Sequence, residues 1–161
     1  MAGVTINIPN ILPGNNILKT MIIVIDMDNT LTDEFGATAR PGIADFLTKL
    51  KSDGHMLILW TNSTKERAAT ILKEHRLKAF FTKFIFRENY DPKNTGLNKD
   101  IRKVKGDLLI DDDPAEINYM KQINKKGILV TSYRNGKNID QDELTRLYQE
   151  IKGMKSILHF Y

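Results

Sequence analysis

The 161-residue sequence predicts a single α/β domain built on a mostly parallel sheet. Three observations predict it. The short apolar runs "MIIVID" (21–26), "MLILW" (56–60), "DLLID" (107–111) and "GILVTS" (127–132) look like strands buried on both faces. Segments with apolar residues at helical spacing separate them. Strands that alternate with helices run parallel, joined by right-handed crossovers.

The elements follow in order. Residues 1–20 read as an irregular arm, broken by Pro9, Pro13 and Gly14. The first strand leads into a polar loop, 28–39. "RPGIADFLTKLKSDG" (40–54) is a helix, with Pro41 in its first turn and Gly54 as its stop. Ile43, Phe46, Leu47 and Leu50 share one face. The second strand ends at Thr61, and "STKERAATILKEHRL" (63–77) opens with Ser63 and Glu66 at capping-box spacing. Ala68, Ile71 and Leu72 form its apolar face. "KFIFRE" (83–88) reads as a short third strand and "LNKDIRKV" (97–104) as a short helix. After the strand 107–111, Asp113, Pro114 and Glu116 supply an N-cap, a first-turn proline and a capping-box acid. Asp140 and Glu143 open the last helix, with Leu144, Leu147, Tyr148 and Ile151 on one face. The domain is expected over 21–155, and the closing "SILHFY" (156–161) is an edge strand or a docked tail.

With 41% hydrophobic and 27% charged residues, the composition is that of an ordinary globular protein. No apolar run approaches the roughly 20 residues that span a bilayer. The first residues lack a basic stretch followed by an apolar core, so no secretory signal is expected. The absence of cysteine excludes disulfides, thiolate catalysis and Cys-ligated zinc, and fits a cytoplasmic setting, with the nucleus left open. Net charge is +4, unevenly spread. Residues 64–105 hold 12 Lys/Arg against 5 Asp/Glu, whereas 107–150 hold 6 against 9. A basic middle suits an anionic partner, phosphate or nucleic acid, or is a pair of solvated helix faces.

The chemistry collects where the strands end. The first strand ends at Asp26, with Asp28 two residues on, the second at Thr61 and Asn62, and the fourth at Asp111, Asp112 and Asp113. Ligands of open α/β sheets bind outside those carboxyl ends. Asp26, Asp28, Asp111 and Asp112 crowd into one mouth, where like charges resist joint ionisation. A hard divalent cation relieves this, and Mg²⁺ is the usual choice when a phosphate completes its shell. Asp113 alone is better explained as a helix cap than as a ligand, and Thr61 alone as a strand-end hydroxyl, while a structural turn is the lesser reading of the Asp26–Asp28 pair alone. A turn does not explain three strand ends converging on polar and acidic groups. No phosphate-binding glycine loop, dinucleotide fingerprint or nucleophile elbow is present. His55, His75 and His159 are scattered and read as surface or boundary residues.

"DMDNT" (26–30) resembles the D-x-D-x-T signature of the haloacid dehalogenase (HAD) superfamily of phosphohydrolases. "LILWTNS" is similar to its second motif, Lys99 sits where its lysine belongs, and "LLIDDDP" resembles its acidic fourth motif. The motifs occur in the family's order over about 21–132. Within the superfamily, "RPGIADFL", "FTKFIFRENY", "NKDIRKV" and "IDDDP" resemble segments of the FCP/SCP, or NLI-interacting factor-like, branch, whose members dephosphorylate protein serines. "NIDQDELTRLYQEI" is similar to that branch's C-terminal helix. In two places the chain departs from the branch. Asp112 replaces its usual Asn, and the stretch 28–39 is too short for its peptide-gripping hairpin.

The resemblance implies a single Rossmann-like HAD domain; between Asp28 and Pro41 there is room for only a short flap, and no other segment is long enough for a large cap domain. The resemblance also implies a Mg²⁺-dependent phosphomonoesterase in which Asp26 attacks phosphorus and Asp28 donates, then accepts, a proton. Asp26, the backbone carbonyl of Asp28 and Asp111 or Asp112 would hold Mg²⁺. Thr61 and Lys99 would bind phosphoryl oxygens, with Asn62 and Arg87 as further substrate contacts. The expected substrate is a phosphate displayed on a macromolecule, protein phosphoserine or phosphothreonine first. The alternatives are a nucleic-acid-end phosphatase, a small-metabolite phosphatase, or a catalytically weak HAD-fold interaction protein. Intact Asp26, Asp28, Thr61, Lys99 and Asp111 argue against the last.

Overall fold

A computed structural model describes residues 19–137 and 139–154; the expected tail and all but Lys19 and Thr20 of the expected arm lie outside them. Five strands form one parallel sheet in the order β3-β2-β1-β4-β5. They are β1 (Ile22–Ile25), β2 (Met56–Trp60), β3 (Lys83–Ile85), β4 (Leu108–Asp111) and β5 (Lys126–Leu129). The helices are α1 (Ile43–Ser52), α2 (Lys65–Glu74), the single turn α3 (Arg87–Tyr90), α4 (Pro114–Gln122) and α5 (Glu143–Met154).

Alternation along each strand divides the core in two. Ile23, Ile25, Leu57, Leu59, Leu108 and Ile110 face Phe46, Leu47 and Leu50 of α1, Ile71 and Leu72 of α2, and Leu147 and Ile151 of α5. Val24, Ile58, Trp60 and Leu109 point the other way, onto Ile101, Ile117 and Met120. Both faces are therefore covered, which is why the strands carry no polar alternation. Strand order reverses at β1, between β2 and β4, so the carboxyl ends of β1 and β4 open a crevice at a topological switch point.

Several boundaries differ from the sequence expectation. Pro41 precedes α1 instead of entering it, because Gly42 caps the helix at φ 79°. Thr64, not Ser63, caps α2, its hydroxyl accepting the Arg67 amide. Only Lys83–Ile85 of "KFIFRE" is strand; the Phe86 amide donates to Asn89 Oδ1 (2.9 Å), and Arg87 begins α3. The short helix near 97–104 is a 3₁₀ turn, Ile101–Val104. Strand β5 stops at Leu129, and residues 130–132 continue as irregular chain. His55, expected near the surface, is buried, and its Nδ1 accepts the Met21 amide at 3.0 Å.

Loop 28–39 is shaped by Asp33. Its Oδ1 accepts the amides of Phe35 (3.1 Å) and Ala37 (2.8 Å), and its Oδ2 accepts the amide and hydroxyl of Thr38. Residues 33–38 thus form a short flap that packs on α2 through Gly36. Gly36 has φ +70°, and a Cβ there would lie 2.4 Å from Ile71 Cδ1 and 2.5 Å from its Cγ1. Gly36→Ala is expected to cost about 2–4 kcal/mol, from left-handed backbone strain plus overpacking. Urea unfolding checks this, and an unchanged midpoint would contradict the packing described.

Candidate active site

The strand ends bring the acids together through the backbone ladder. The Asp26 amide donates to Ile110 O (3.0 Å), the Thr61 amide to Ile85 O (2.9 Å) and the Val130 amide to Asp111 O (3.0 Å). Asp26 therefore extends β1 beside Asp111 of β4. Met27 is fully buried on the α1 face, so its neighbours Asp26 and Asp28 turn to the opposite side. Both line a cavity of about 610 Å³ together with Asn62, Lys99, Asp111, Asp112, Ser132 and Arg134.

Lys99 holds the centre. Its Nζ donates to Asp26 Oδ1 at 2.7 Å and to Asp111 Oδ2 at 2.6 Å, and all three groups are buried. The lysine is fixed at both ends, since its backbone amide donates to Glu116 Oε2 at 2.9 Å. Glu116 is thus not the capping-box acid its spacing suggested. The loop before Lys99 is ordered by Asp91, whose carboxylate accepts the amides of Thr95, Gly96 and Leu97 and the Thr95 hydroxyl. These bonds hold the Asp91 carboxyl below its ordinary range.

Thr30 closes the other side of the cluster. Its hydroxyl lies 3.2 Å from Asp26 Oδ2 and 3.3 Å from Asp112 Oδ1, within reach of either. Carboxylate oxygens of Asp26, Asp111 and Asp112 all fall within 4.8 Å of one another. An all-oxygen set of this kind, with three acids against one lysine, fits a hard divalent cation. Burial pushes Asp26 up to about 6, more than Lys99 pulls it down. Burial and the Asp26 charge push Asp111 up to about 6. Asp112 is also raised, chiefly by burial. Lys99 is raised in turn, because the two carboxylates outweigh the burial that disfavours its charge.

Asp28 has its own cation. Arg67 Nη1 lies 2.8 Å from Asp28 Oδ1 and 3.0 Å from Oδ2. Burial raises the Asp28 carboxyl, against the hydrogen bond from Arg67. Arg40, from the "RPG" segment, braces the loop between the acids and the flap. Its Nε donates to Thr30 O (2.7 Å), and its Nη2 to Asn29 O (3.0 Å) and to Thr131 O. Its Nη1 pairs with Glu143 Oε2 (3.2 Å), whose Oε1 takes the Thr131 amide. Glu143 therefore ties α5 to the site.

Of the residues singled out from sequence, Asp26, Asp28, Asn62, Lys99, Asp111 and Asp112 share the cavity. Thr61 does not reach its wall: it is fully buried, and its hydroxyl accepts the Ser63 amide at 3.1 Å. Arg87 lies in an adjoining cavity bounded by Asp28, Glu34, Asn62, Ser63, Thr64 and Arg67, its Nε bonded to Asn62 O at 2.9 Å. Sequence reasoning missed Thr30, Arg40, Arg67 and Glu116 as parts of the site. Thr30 carried a signal, as the last letter of D-x-D-x-T, and Arg40 another, as the first residue of "RPGIADFL".

Solved structures share this fold. A hydrolase from Streptococcus pneumoniae TIGR4 is 14% identical over 83% of this chain and 98% of that one, with a TM-score of 0.60. A HAD-superfamily hydrolase from Geobacter sulfurreducens PCA is 11% identical over 69% and 89%, with a TM-score of 0.56. The D,D-heptose 1.7-bisphosphate phosphatase of B. bronchiseptica, solved with magnesium and phosphate, is 13% identical over 84% and 99%, with a TM-score of 0.60. The fold is that of the HAD-type hydrolases. The model of the NLI interacting factor-like phosphatases matches residues 21–160, and the chain belongs to that family of phosphatases. A search of curated proteins finds no match.

The raised Asp26 carboxyl has a thermodynamic consequence in metal-free protein. With a folded value of about 6 against 3.8, the native state binds this proton more tightly than the unfolded chain does. Stability contributed by the group therefore falls as pH rises from about 4 to about 6. Asp26→Asn removes that penalty. In chelator, its stability relative to wild type is expected to rise across this window and level off above it. Thermal melts at each pH test this, and a flat difference would show that Asp26 is not destabilised by its surroundings.

Proposed function

We propose that the chain is a Mg²⁺-dependent phosphomonoesterase working through a phosphorylated Asp26. One observation carries the reading: two carboxylates, one residue apart, face one open cavity while each is held by a separate cation, Asp26 by Lys99 and Asp28 by Arg67. That separation suits two different roles. Asp26, flanked by Lys99, attacks phosphorus. The phosphorus–oxygen bond to the substrate breaks, and the leaving oxygen takes a proton from Asp28. Asp28 then takes a proton from water as the water oxygen attacks the aspartyl phosphate, releasing phosphate and restoring Asp26. Lys99 offsets charge on Asp26 and on the transferred group. Asp26, Asp111 and Asp112 would hold Mg²⁺, which supplies further neutralisation of the anionic phosphate. Asn62, which lines both cavities, and Arg87, in the adjoining one beside Asp28, contact the rest of the substrate.

Asp26→Asn keeps the shape of the side chain and removes the nucleophile, so steady-state turnover and rapid-quench labelling of the protein by phosphate are both expected to vanish. Activity within a few fold of wild type would sink the assignment. Activity should also disappear in chelator and return with Mg²⁺, and Asp111→Ala or Asp112→Ala should raise the Mg²⁺ concentration required.

The substrate is proposed from the shape of the mouth. The flap spans only 33–38, and the segment 91–98, which lines the cavity with Gly96, Leu97 and Asn98, is a short polar loop, so neither is long enough to be a lid over a bound phosphate. A bulky substrate then has to exclude water itself. We assign phosphoserine or phosphothreonine on protein as the first choice. The excess of Lys/Arg over 64–105 favours nucleic-acid ends as the second. Comparison of kcat/KM for phosphopeptides, end-phosphorylated oligonucleotides and free metabolites decides. A single metabolite ahead of every macromolecule by about a hundredfold, or ~2.7 kcal/mol of discrimination, would overturn the open-mouth argument.

A further inference from the structure

We infer that Arg67 is a positioning residue for the chemical step, holding the Asp28 carboxylate where the leaving oxygen departs and coupling it to the flap. The inference rests on the reading of Asp28 as proton donor. Arg67 stands in the first turn of α2, and its own amide bonds the capping hydroxyl of Thr64 at 3.4 Å. The side chain is gripped from three directions. Nη1 reaches both oxygens of Asp28 and donates to Ser63 Oγ at 2.9 Å, while Nη2 donates to Glu34 O at 3.0 Å. Ser63 is in turn fixed by its amide bond to Thr61 Oγ1 (3.1 Å), and the backbone of Ser63 accepts the Arg87 amide at 3.0 Å. The guanidinium therefore joins the end of β2, the start of α2, the flap and Asp28 in one hydrogen-bonded unit.

A planar fork suits this task better than an ammonium, because it donates in several fixed directions at once. Without it, Asp28 would be a partly exposed carboxylate with freedom to swing toward solvent, and its position relative to Asp26 would be lost. The flap would lose the bond at Glu34 O as well. On the opposite side, Glu34 Oε2 accepts the Asn135 amide at 2.9 Å, so the flap would stay tethered there. The effect of losing Arg67 thus falls on Asp28 more than on the fold. Half-exposed on the surface side, Arg67 is not part of the buried core, and its removal leaves the Lys99 cluster untouched.

Proton donation matters most when the leaving group is a poor one, such as a serine-like alkoxide, and least for a dinitrophenolate that departs unaided. Arg67→Ala is therefore expected to lower kcat/KM for an alkyl phosphate by about 100-fold, the low end of general acid–base contributions, and for dinitrophenyl phosphate by only a few fold. Arg67→Lys should fall between wild type and Arg67→Ala, and added guanidinium should restore part of the alkyl phosphate activity of Arg67→Ala. Asp28→Asn is measured in parallel. If Asp28→Asn shows the leaving-group dependence and Arg67→Ala does not, the role of Arg67 is refuted while that of Asp28 stands. If Asp28→Asn itself lacks the dependence, the proposed reaction is wrong at Asp28. Equal losses for both substrates in Arg67→Ala and in Arg67→Lys would mark Arg67 as merely structural and overturn the inference.

Discussion

The structure depends on one buried ammonium. Lys99 stands between Asp26 and Asp111, 2.7 and 2.6 Å from their oxygens, at the mouth of an otherwise apolar sheet. Neither carboxylate could be buried there alone, since an unpaired buried charge costs several kcal/mol. The parallel order β2-β1-β4 sets the two acids side by side. The crossover from β3 to β4 then passes over the carboxyl edge and delivers the lysine from residue 99. Groups in that segment and in α4 serve to hold it. Asp91 orders the loop before it, Glu116 takes its amide, and Ile101 packs beneath it in the core with Val24 and Leu109.

A second cation relieves the same crowding at a different point. Three carboxylates cluster where one lysine pairs with two of them, and Asp28 would make a fourth, so its pairing with Arg67 keeps the two members of D-x-D apart electrostatically. The geometry that separates them also keeps them distinct chemically. Asp26 sits in a deep, metal-compatible cluster, and Asp28 in a half-buried position near the adjoining cavity that contains Arg87. Arg40 adds a second buried positive charge beside Lys99, directed at backbone carbonyls instead of the acids. By pairing with Glu143 it makes the last helix a structural part of the loop that carries Asp28, Asn29 and Thr30.

Much of this was legible in the residues alone. The apolar runs marked four of the five strands, and helical spacing marked the faces of α1, α2 and α5. The acids at the strand ends located the site, because strand polarity in a parallel sheet places every carboxyl end on one edge. Local capping chemistry was less reliable. Glu116 and Glu143 stood at capping-box spacing, yet Glu116 accepts the amide of Lys99, 17 residues away, and Glu143 pairs with Arg40, 103 residues away. Likewise "KFIFRE" had the composition of a strand, but the bond from the Phe86 amide to Asn89 ended β3 after three residues and turned Arg87 into the adjoining cavity.

By itself, the sequence determined the alternation of elements, the direction of the sheet and the set of acids at its mouth, all of which follow from periodicity and chain order. Only the tertiary structure decided which cation each acid receives. Arg67 is 39 residues from Asp28, Lys99 is 73 from Asp26, and the basic stretch that contains both offers many other candidates. Choosing among them depends on where crossovers place side chains in space, and pairing over such distances leaves no periodic trace in the chain.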